Sequence, residues 1–329
     1  MLKLDPIFAD GVILQAGKAV RISGSGDGTV CIRLGNEFKT VSSFDGRWSA
    51  EFPARDYNTV CELAASCNGE TVVITDVTFG DVYLIAGQSN MQFKLREAIP
   101  DGEIYESDEI RLFSTDRLED NERFRARDGW VRCDKSSAPH FSAIGYFLAR
   151  DLHRRAARPI GLVSLYQGAS VIQSWLSAKA VDELALNIPQ NELHEDHHCP
   201  QYSRWNGVAT LYNFGFKQIL PFVFKAIVWY QGESNTSVKE SKVYDRMLRK
   251  MIELWRNDLN DTTLPFVVIQ IADFSPRNDE AWKRVQEAQE RVALDTPYCH
   301  LVKSTDICES ENIHPPTKHT LAGRISEIV

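Results

Sequence analysis

From Asp81 onward, short apolar runs alternate with helix-length amphipathic stretches, and few chain architectures satisfy that alternation. The runs are Val82–Ala86, Ile160–Leu165, Ala226–Tyr230 and Phe266–Ile271. Each is too short for a buried helix and, bounded by polar residues, suits a strand covered on both faces. Between them lie helical stretches at Ala143–Ala156, Tyr244–Asn257 and Glu280–Leu294. In the second, Met247, Leu248, Met251, Ile252 and Trp255 recur at three- and four-residue steps, as one buried helix face requires. Strands alternating with helices imply a parallel sheet with helices on both sides, and ligands bind such sheets beyond the carboxyl ends of the strands. Polar loops follow three of the runs directly, at Gly87–Asn90, Gln167–Ser170 and Gln231–Asn235.

Residues 1–78 read differently. Val20–Ser23, Val30–Leu34, Trp48–Phe52, Cys61–Ala65 and Thr71–Val77 are strand-like and separated by Gly-Ser-Gly-Asp-Gly, Asn-Gly and Asp-Gly turns. The expected division is a small immunoglobulin-like β-sandwich over 1–78 and an α/β domain over 79–329. Nothing in the first segment assembles a nucleophile, a base and an acid, so it reads as a packing or spacer module.

Composition narrows the partners. The 329 residues are 43% hydrophobic and 25% charged, with a formal net charge of −8. A mixed, acidic balance excludes a phosphate backbone or an anionic membrane surface as the expected partner, because either favours a concentrated basic face. Arg123, Arg125, Arg127 and Arg132 do cluster, but Asp120, Glu122 and Asp128 lie among them, and the stretch reads as a solvated loop. Met1–Phe8 carries no apolar signal-peptide core, and no stretch has the length of a membrane span. The seven cysteines are scattered without Cys-x-x-Cys spacing, which suits thiols in a reducing compartment. The expectation is a soluble, cytoplasmic protein.

The chemistry gathers on the loops. Val82–Ala86 ends at Gly87, which allows an abrupt turn that leaves Ser89 at its tip, the logic of a nucleophile elbow without the Gly-x-Ser-x-Gly spelling. A Gly-Gln-Ser-Asn loop alone is most often an ordinary turn. Gly168 permits close backbone approach, so its N–H can face a ligand oxygen. Asn235, beyond the Gly232 turn, offers a side-chain amide. With the N–H groups of Ser89 and Gly168 it would complete a three-donor oxyanion hole. Near the carboxyl end, Pro315 and Pro316 fix the loop that presents His314, which can act as general base toward Ser89.

The order Ser, Gly, Asn, His, each on a loop, resembles the sialate O-acetylesterase family within the class of SGNH hydrolases named for those four residues. Gly-Gln-Ser-Asn-Met (87–91), Trp-Tyr-Gln-Gly-Glu-Ser-Asn (229–235) and Ile-His-Pro with Lys318 nearby carry the likeness. Phe-Ala-Asp-Gly-Val-Ile-Leu-Gln (8–15) and Asp-Gly-Arg-Trp (45–48) are similar to the family's small β-domain. The resemblance implies a flavodoxin-like three-layer α/β/α hydrolase domain that removes acetyl groups from sugar hydroxyls with no metal or other cofactor. It implies Ser89 as nucleophile and His314 as base, with Gln88 and Asn90 bracing the elbow and Gln231 and Glu233 supporting the site. O-acetylated sialic acid is the first substrate it suggests, acetylated xylan the second, and a sugar-binding protein with a decayed site the third.

The chain departs from that pattern in two places. Asn312 stands where the family has an Asp two residues before the histidine, and an Asp-to-Asn change in a comparable triad costs about 10⁴-fold. Glu311, three residues before His314, is the expected replacement, with a Ser–His dyad aided by a backbone carbonyl, or Glu309, as alternatives. The second block reads Gly168-Ala169, with Gln173 at a position the family gives to Glu. Three further groups invite roles. His194, Glu195, Asp196, His197, His198 and Cys199 form a polar cluster whose adjacent residues do not match zinc spacings and read as a loop over the site. Trp175, Trp205 and Tyr230 could stack on a sugar ring. Arg204 could pair with a sialic acid carboxylate.

Overall fold

The computed structural model describes residues 1–115, 117, 118, 123, 124 and 129–329. Of the charge-mixed loop, Asp120, Glu122, Arg125, Arg127 and Asp128 lie outside the described residues. In chain order the strands are β1 (Lys3–Leu4), β2 (Ile13–Gln15), β3 (Val20–Ser25), β4 (Thr29–Leu34), β5 (Glu37–Ser42), β6 (Arg47–Phe52), β7 (Val60–Cys67), β8 (Glu70–Gly87), β9 (Ser107–Ser114), β10 (Arg117–Leu118), β11 (Arg123–Phe124), β12 (Trp130–Cys133), β13 (Ile160–Tyr166), β14 (Ala226–Tyr230), β15 (Phe266–Ile269) and β16 (Cys299–Val302). The α-helices are α1 (Ser89–Gln92), α2 (Ala143–Ala156), α3 (Ala178–Leu184), α4 (Glu195–His198), α5 (Ser203–Asn206), α6 (Thr210–Phe214), α7 (Tyr244–Asp258), α8 (Glu280–Asp295) and α9 (His319–Ser326).

The central sheet runs β12-β9-β13-β8-β14-β15-β16, parallel throughout except for β12, which pairs antiparallel with β9 at one edge. All of β13, β14 and β15 is buried, as expected of strands covered on both faces. Helix α2 packs on β9, β13 and α9, while α8 packs on β15, β16 and α7. The five apolar residues spaced along α7 are all buried. Each such side chain contributes about 1.5–3 kcal/mol by leaving water. Asp279 caps α8 by accepting hydrogen bonds from the N–H groups of Ala281 and Trp282 at 2.9 and 3.0 Å.

The amino-terminal segment forms two sheets. One is β1-β3-β6; in the other, β5, β4, β7 and the first half of β8 pair antiparallel in turn. Val30, Ile32 and Leu34 of β4 and Trp48, Ala50 and Phe52 of β6 alternate with exposed or half-exposed neighbours and share one apolar core. The apolar runs at Thr71–Val77 and Val82–Ala86, which read as two strands, form one. β8 passes through residue 78 without a break, pairing first with β7 and then with β13 and β14. Gly80 lets it pass, since a Cβ there would fall 2.1 Å from the Pro159 carbonyl oxygen.

Strand β9 has no legible apolar run because Arg111 interrupts Ile110, Leu112 and Phe113. The buried guanidinium is satisfied by the carbonyls of Gly11 and Asp76 at 2.8 Å each and by the Asp76 carboxylate at 3.0 Å. That set of bonds fastens the central sheet to the amino-terminal segment.

Two glycine substitutions should differ in sign. At Gly87, φ is +139° and an added Cβ would lie 2.1 Å from the Tyr230 carbonyl oxygen. Gly87→Ala is expected to cost on the order of 3 kcal/mol, from strain and forced separation of two central strands. At Gly323 in α9 a Cβ meets nothing within 4 Å, and Gly323→Ala should stabilise by up to about 1 kcal/mol. Urea midpoints of the two variants check both.

Candidate active site

Strands β13, β8 and β14 end level. Gly87 is the register partner of both Tyr166 and Tyr230, so the three polar loops leave the sheet side by side. The turn after Gly87 is tied on both flanks: the Gln88 N–H donates to the Tyr230 carbonyl at 2.9 Å, and the Gln167 N–H to the Gly87 carbonyl at 3.0 Å. Ser89 then opens α1, half-exposed, with buried Gln88 before it and buried Asn90 after it. Gln88 reaches across to the third loop, its carbonyl oxygen accepting from the Gly232 N–H at 3.2 Å and its amide lying 3.4 Å from the Ser234 hydroxyl.

Asn90 carries the histidine's loop. Its amide donates to Glu233 at 2.6 Å and to the Ile313 carbonyl at 2.9 Å, and its oxygen accepts from Lys318 at 2.7 Å. His314, half-buried, thereby joins Ser89 as a wall of one cleft. Burial first, and the nearby Lys318 charge second, hold the His314 pKa below the ordinary histidine value, with Glu97 opposing weakly. Burial pushes the Lys318 pKa down to about 8. It also raises that of Glu233, against the Asn90 hydrogen bond and the Lys318 charge.

Asn312 does not reach the imidazole. Its oxygen accepts the backbone N–H of His314 at 2.8 Å, a local turn that shapes the loop. Glu311, expected to orient His314, is exposed and makes no hydrogen bond or ion pair among the described residues. Its side chain faces water because Asn312, not Glu311, turns back toward the histidine. Glu309 accepts from the Thr317 hydroxyl and N–H, bracing the same loop from below.

The second and third loops also differ from expectation. Asn235 is fully buried and turned away from the cleft. Its oxygen accepts from the Ile172 N–H at 2.9 Å and from Gln231 at 2.8 Å, while its amide donates to Gln173 at 2.8 Å and to Glu240 at 3.0 Å. A backbone N–H on one end and a carboxylate on the other fix the amide's orientation, so both of its hydrogens are committed and neither is offered to an oxyanion. Gly168 does line the cleft, and its N–H donates to the Gln92 side-chain oxygen at 2.8 Å. Ala169, where the family pattern has Gly, adopts φ +51°, held by Asn206 through its bonds to the Ala169 carbonyl and the Val171 N–H. Gln231 is fully buried, donating to the Ser170 carbonyl at 3.0 Å and accepting from the Tyr244 hydroxyl at 2.9 Å.

Glu240, which sequence reasoning missed, joins these loops to the opposite wall. Its carboxylate accepts from Gln173, Asn235, His197, Ser237 and the His194 N–H at 2.6–3.0 Å. Burial alone would raise its pKa, but the bonds and charge of His197, with those of Gln173 and Ser237, hold it below the ordinary value. It anchors the segment from which His194, Glu195 and Asp196 face the cleft. His197 is spent on Glu240, and His194 on Arg277, whose Nη1 lies 3.0 Å from its Nε2.

The cleft holds about 400 Å³, in the range of small-ligand sites. Trp205 lines it beside Tyr202, with ring centroids 5.6 Å apart. Trp175 and Tyr230 do not: both are buried, Trp175 edge-on against Trp229 and Trp255, and neither can stack on a sugar. Arg204 is exposed and stands outside the lining, whereas Arg277 is part of it.

A family model described as "carbohydrate esterase, sialic acid-specific acetylesterase" matches residues 79–324. The chain belongs to that family. The mouse and human sialate O-acetylesterases are each 25% identical to it, over 83% and 90% of this chain and 60% and 63% of their own. The chain thus spans about three-fifths of those relatives. A carbohydrate acetylesterase from Xanthomonas citri superposes over the whole chain, and 74% of its own, with a TM-score of 0.85 and 26% identity. The central-sheet fold is therefore that of a carbohydrate esterase, and hydrolysis of esters is the family's chemistry.

One signal for the missed residues was present: Gln92 follows Ser89 by three residues, the spacing of one helical face. Glu240 and Arg277 carried none, since their roles depend on loops brought together from distant parts of the chain.

The acid limb of kcat/KM should fall below pH 6.5, because neutral His314 persists to lower pH than a free histidine. In Lys318→Met the positive neighbour is gone and imidazolium forms more easily, so the limb should move up; an unmoved limb in a pH–rate profile refutes the coupling. Glu311→Gln should leave kcat/KM within about twofold, since an exposed carboxylate without partners has little to lose.

Proposed function

We propose that the chain is a serine-dependent acetylesterase acting on O-acetylated sugars, with O-acetylated sialic acid as its substrate. The observation that carries the reading is the convergence of Ser89 and His314, from loops at opposite ends of the hydrolase segment, on one cleft of about 400 Å³. His314, neutral at physiological pH, takes the Ser89 proton as the hydroxyl attacks the acetyl carbonyl. The Ser89 N–H faces the developing oxyanion. The sugar alcohol leaves with the proton from His314, and water repeats the cycle on the acetyl-enzyme. With no carboxylate bonded to His314 among the described residues, Ser89 and His314 work as a dyad.

The likeness to the mouse and human sialate O-acetylesterases supports a sialate substrate, as does a cation on the cleft wall. The Nη1 of Arg277 is engaged by His194 and lies 3.5 Å from Glu195, while its Nε and Nη2 make no hydrogen bond among the described residues. That fork suits the carboxylate of a sialic acid. Trp205 and Tyr202 supply apolar surface for the ring. The same reading takes residues 1–78 as a small β-sandwich domain and 79–329 as the three-layer SGNH domain, supported by a family match that begins at residue 79.

Hydrolysis of p-nitrophenyl acetate, with chelator present, should be lost in Ser89→Ala. The wild type should deacetylate 9-O-acetylated sialic acid at least tenfold more efficiently than acetylated xylo-oligosaccharide. The reverse preference would make the chain a neutral-glycan esterase, and equal background rates for wild type and Ser89→Ala would make it a sugar-binding protein.

A further inference from the structure

With Asn235 turned inward, the site lacks the side-chain donor that an oxyanion hole of this kind uses. We propose that Gln92 supplies it, its side-chain amide donating to the oxyanion beside the N–H of Ser89. This rests on the reading of the chain as a serine esterase.

Three observations carry it. First, the orientation of the Gln92 amide is set by chemistry: the Gly168 N–H can only donate, so the atom 2.8 Å from it is the carbonyl oxygen and the opposite end is the NH₂. Second, that NH₂ makes no hydrogen bond among the described residues and is not among the buried polar atoms left without a partner, so it is open to solvent and free to donate, and Gln92 is one of the residues that line the cleft. Third, Gln92 stands three residues after Ser89 in α1, on the same side of the turn. The close packing at Gly168 confirms how near they are: a Cβ built there would lie 3.3 Å from the Gln92 oxygen and 3.8 Å from Ser89 Cβ.

The Gly168 N–H then acts one step removed. Instead of bonding the substrate oxygen, it locks the amide of Gln92 and polarises it, so the NH₂ is a stronger and better-directed donor than a free glutamine. Asn235, in turn, positions the second loop that carries Gly168, through its bond to the Ile172 N–H. The tetrahedral oxygen would receive one backbone and one side-chain hydrogen bond, both fixed before substrate arrives.

The test measures kcat and KM for p-nitrophenyl acetate in wild type, Ser89→Ala, Gln92→Ala and Gln92→Glu, with melting temperatures for each. Gln92→Glu keeps the shape and the acceptor for Gly168 but has no donor and brings a negative charge. The expected result is a fall in kcat of about 10²–10³-fold in both Gln92 variants, with KM within about threefold and melting within a few degrees of wild type. A Gln92→Ala rate at or above wild type would mean that Gln92 merely caps the Gly168 N–H, and it overturns the proposal. So does wild-type kcat in Gln92→Glu, which would reduce the role to packing. Equal rates for wild type and Ser89→Ala would fail the esterase reading itself, and the proposal with it.

Discussion

The site depends on the hydrogen bonds of one buried amide. Asn90 sits between the turn that displays Ser89 and a loop more than 220 residues away, bonding Ile313 and Lys318 of that loop and Glu233 of a third. An asparagine suits the place because it is donor and acceptor at once and neutral, so it can join a carboxylate, a carbonyl and an ammonium without adding charge. A buried network of this kind is stable only when complete; removing one member leaves the others desolvated and unpaired, at about 1–3 kcal/mol each. The placing of Ser89 and His314 is thus held by Asn90, which follows Ser89 in sequence and bonds the carbonyl of Ile313, the residue before His314.

Glu240 does for the opposite wall what Asn90 does for the wall that carries Ser89 and His314. A carboxylate is the harder group to bury, and five donors converge on it to make burial tolerable. Those donors come from the second loop, the third loop and the segment before α5, so one charge sets the spacing of three parts of the cleft. Asn235 and Gln173 are consumed in that structure. Their amides brace the site from behind.

The electrostatics around His314 follow from the same arrangement. A buried lysine and partial desolvation both penalise imidazolium, and among the described residues no carboxylate offsets them through a hydrogen bond. Both effects favour the neutral imidazole, and in the proposed dyad the ion pair formed during reaction would receive less help than in a full triad. Under that proposal stabilisation would fall more heavily on the oxyanion side, where fixed hydrogen-bond donors need no reorganisation. The relation to carbohydrate esterases is thus one of shared scaffold, with Asn312 bonded to the His314 backbone where the family pattern has an Asp.

Periodicity made the central sheet and its large helices legible: β13, β14, α2, α7 and α8 lie within a residue or two of where apolar spacing puts them. It failed at β9, because Arg111 breaks the apolar run while its charge is satisfied by distant carbonyls, and it split β8 because a strand gives no local sign that it passes from one sheet to another. For the site, the chain alone pointed to the loops that line the cleft, since a glycine after a buried strand and a Pro-fixed histidine are local facts. Which side chains face the cleft was decided only by tertiary structure. Asn235 and Gln92 are both amides beside short turns, and nothing near either in sequence says that Glu240 and Ile172 will take one while Gly168 orients the other. Glu311 and Asn312 differ in the same way: the direction of a loop side chain is fixed by the hydrogen bonds it finds after folding, and Asn312 found the His314 N–H first.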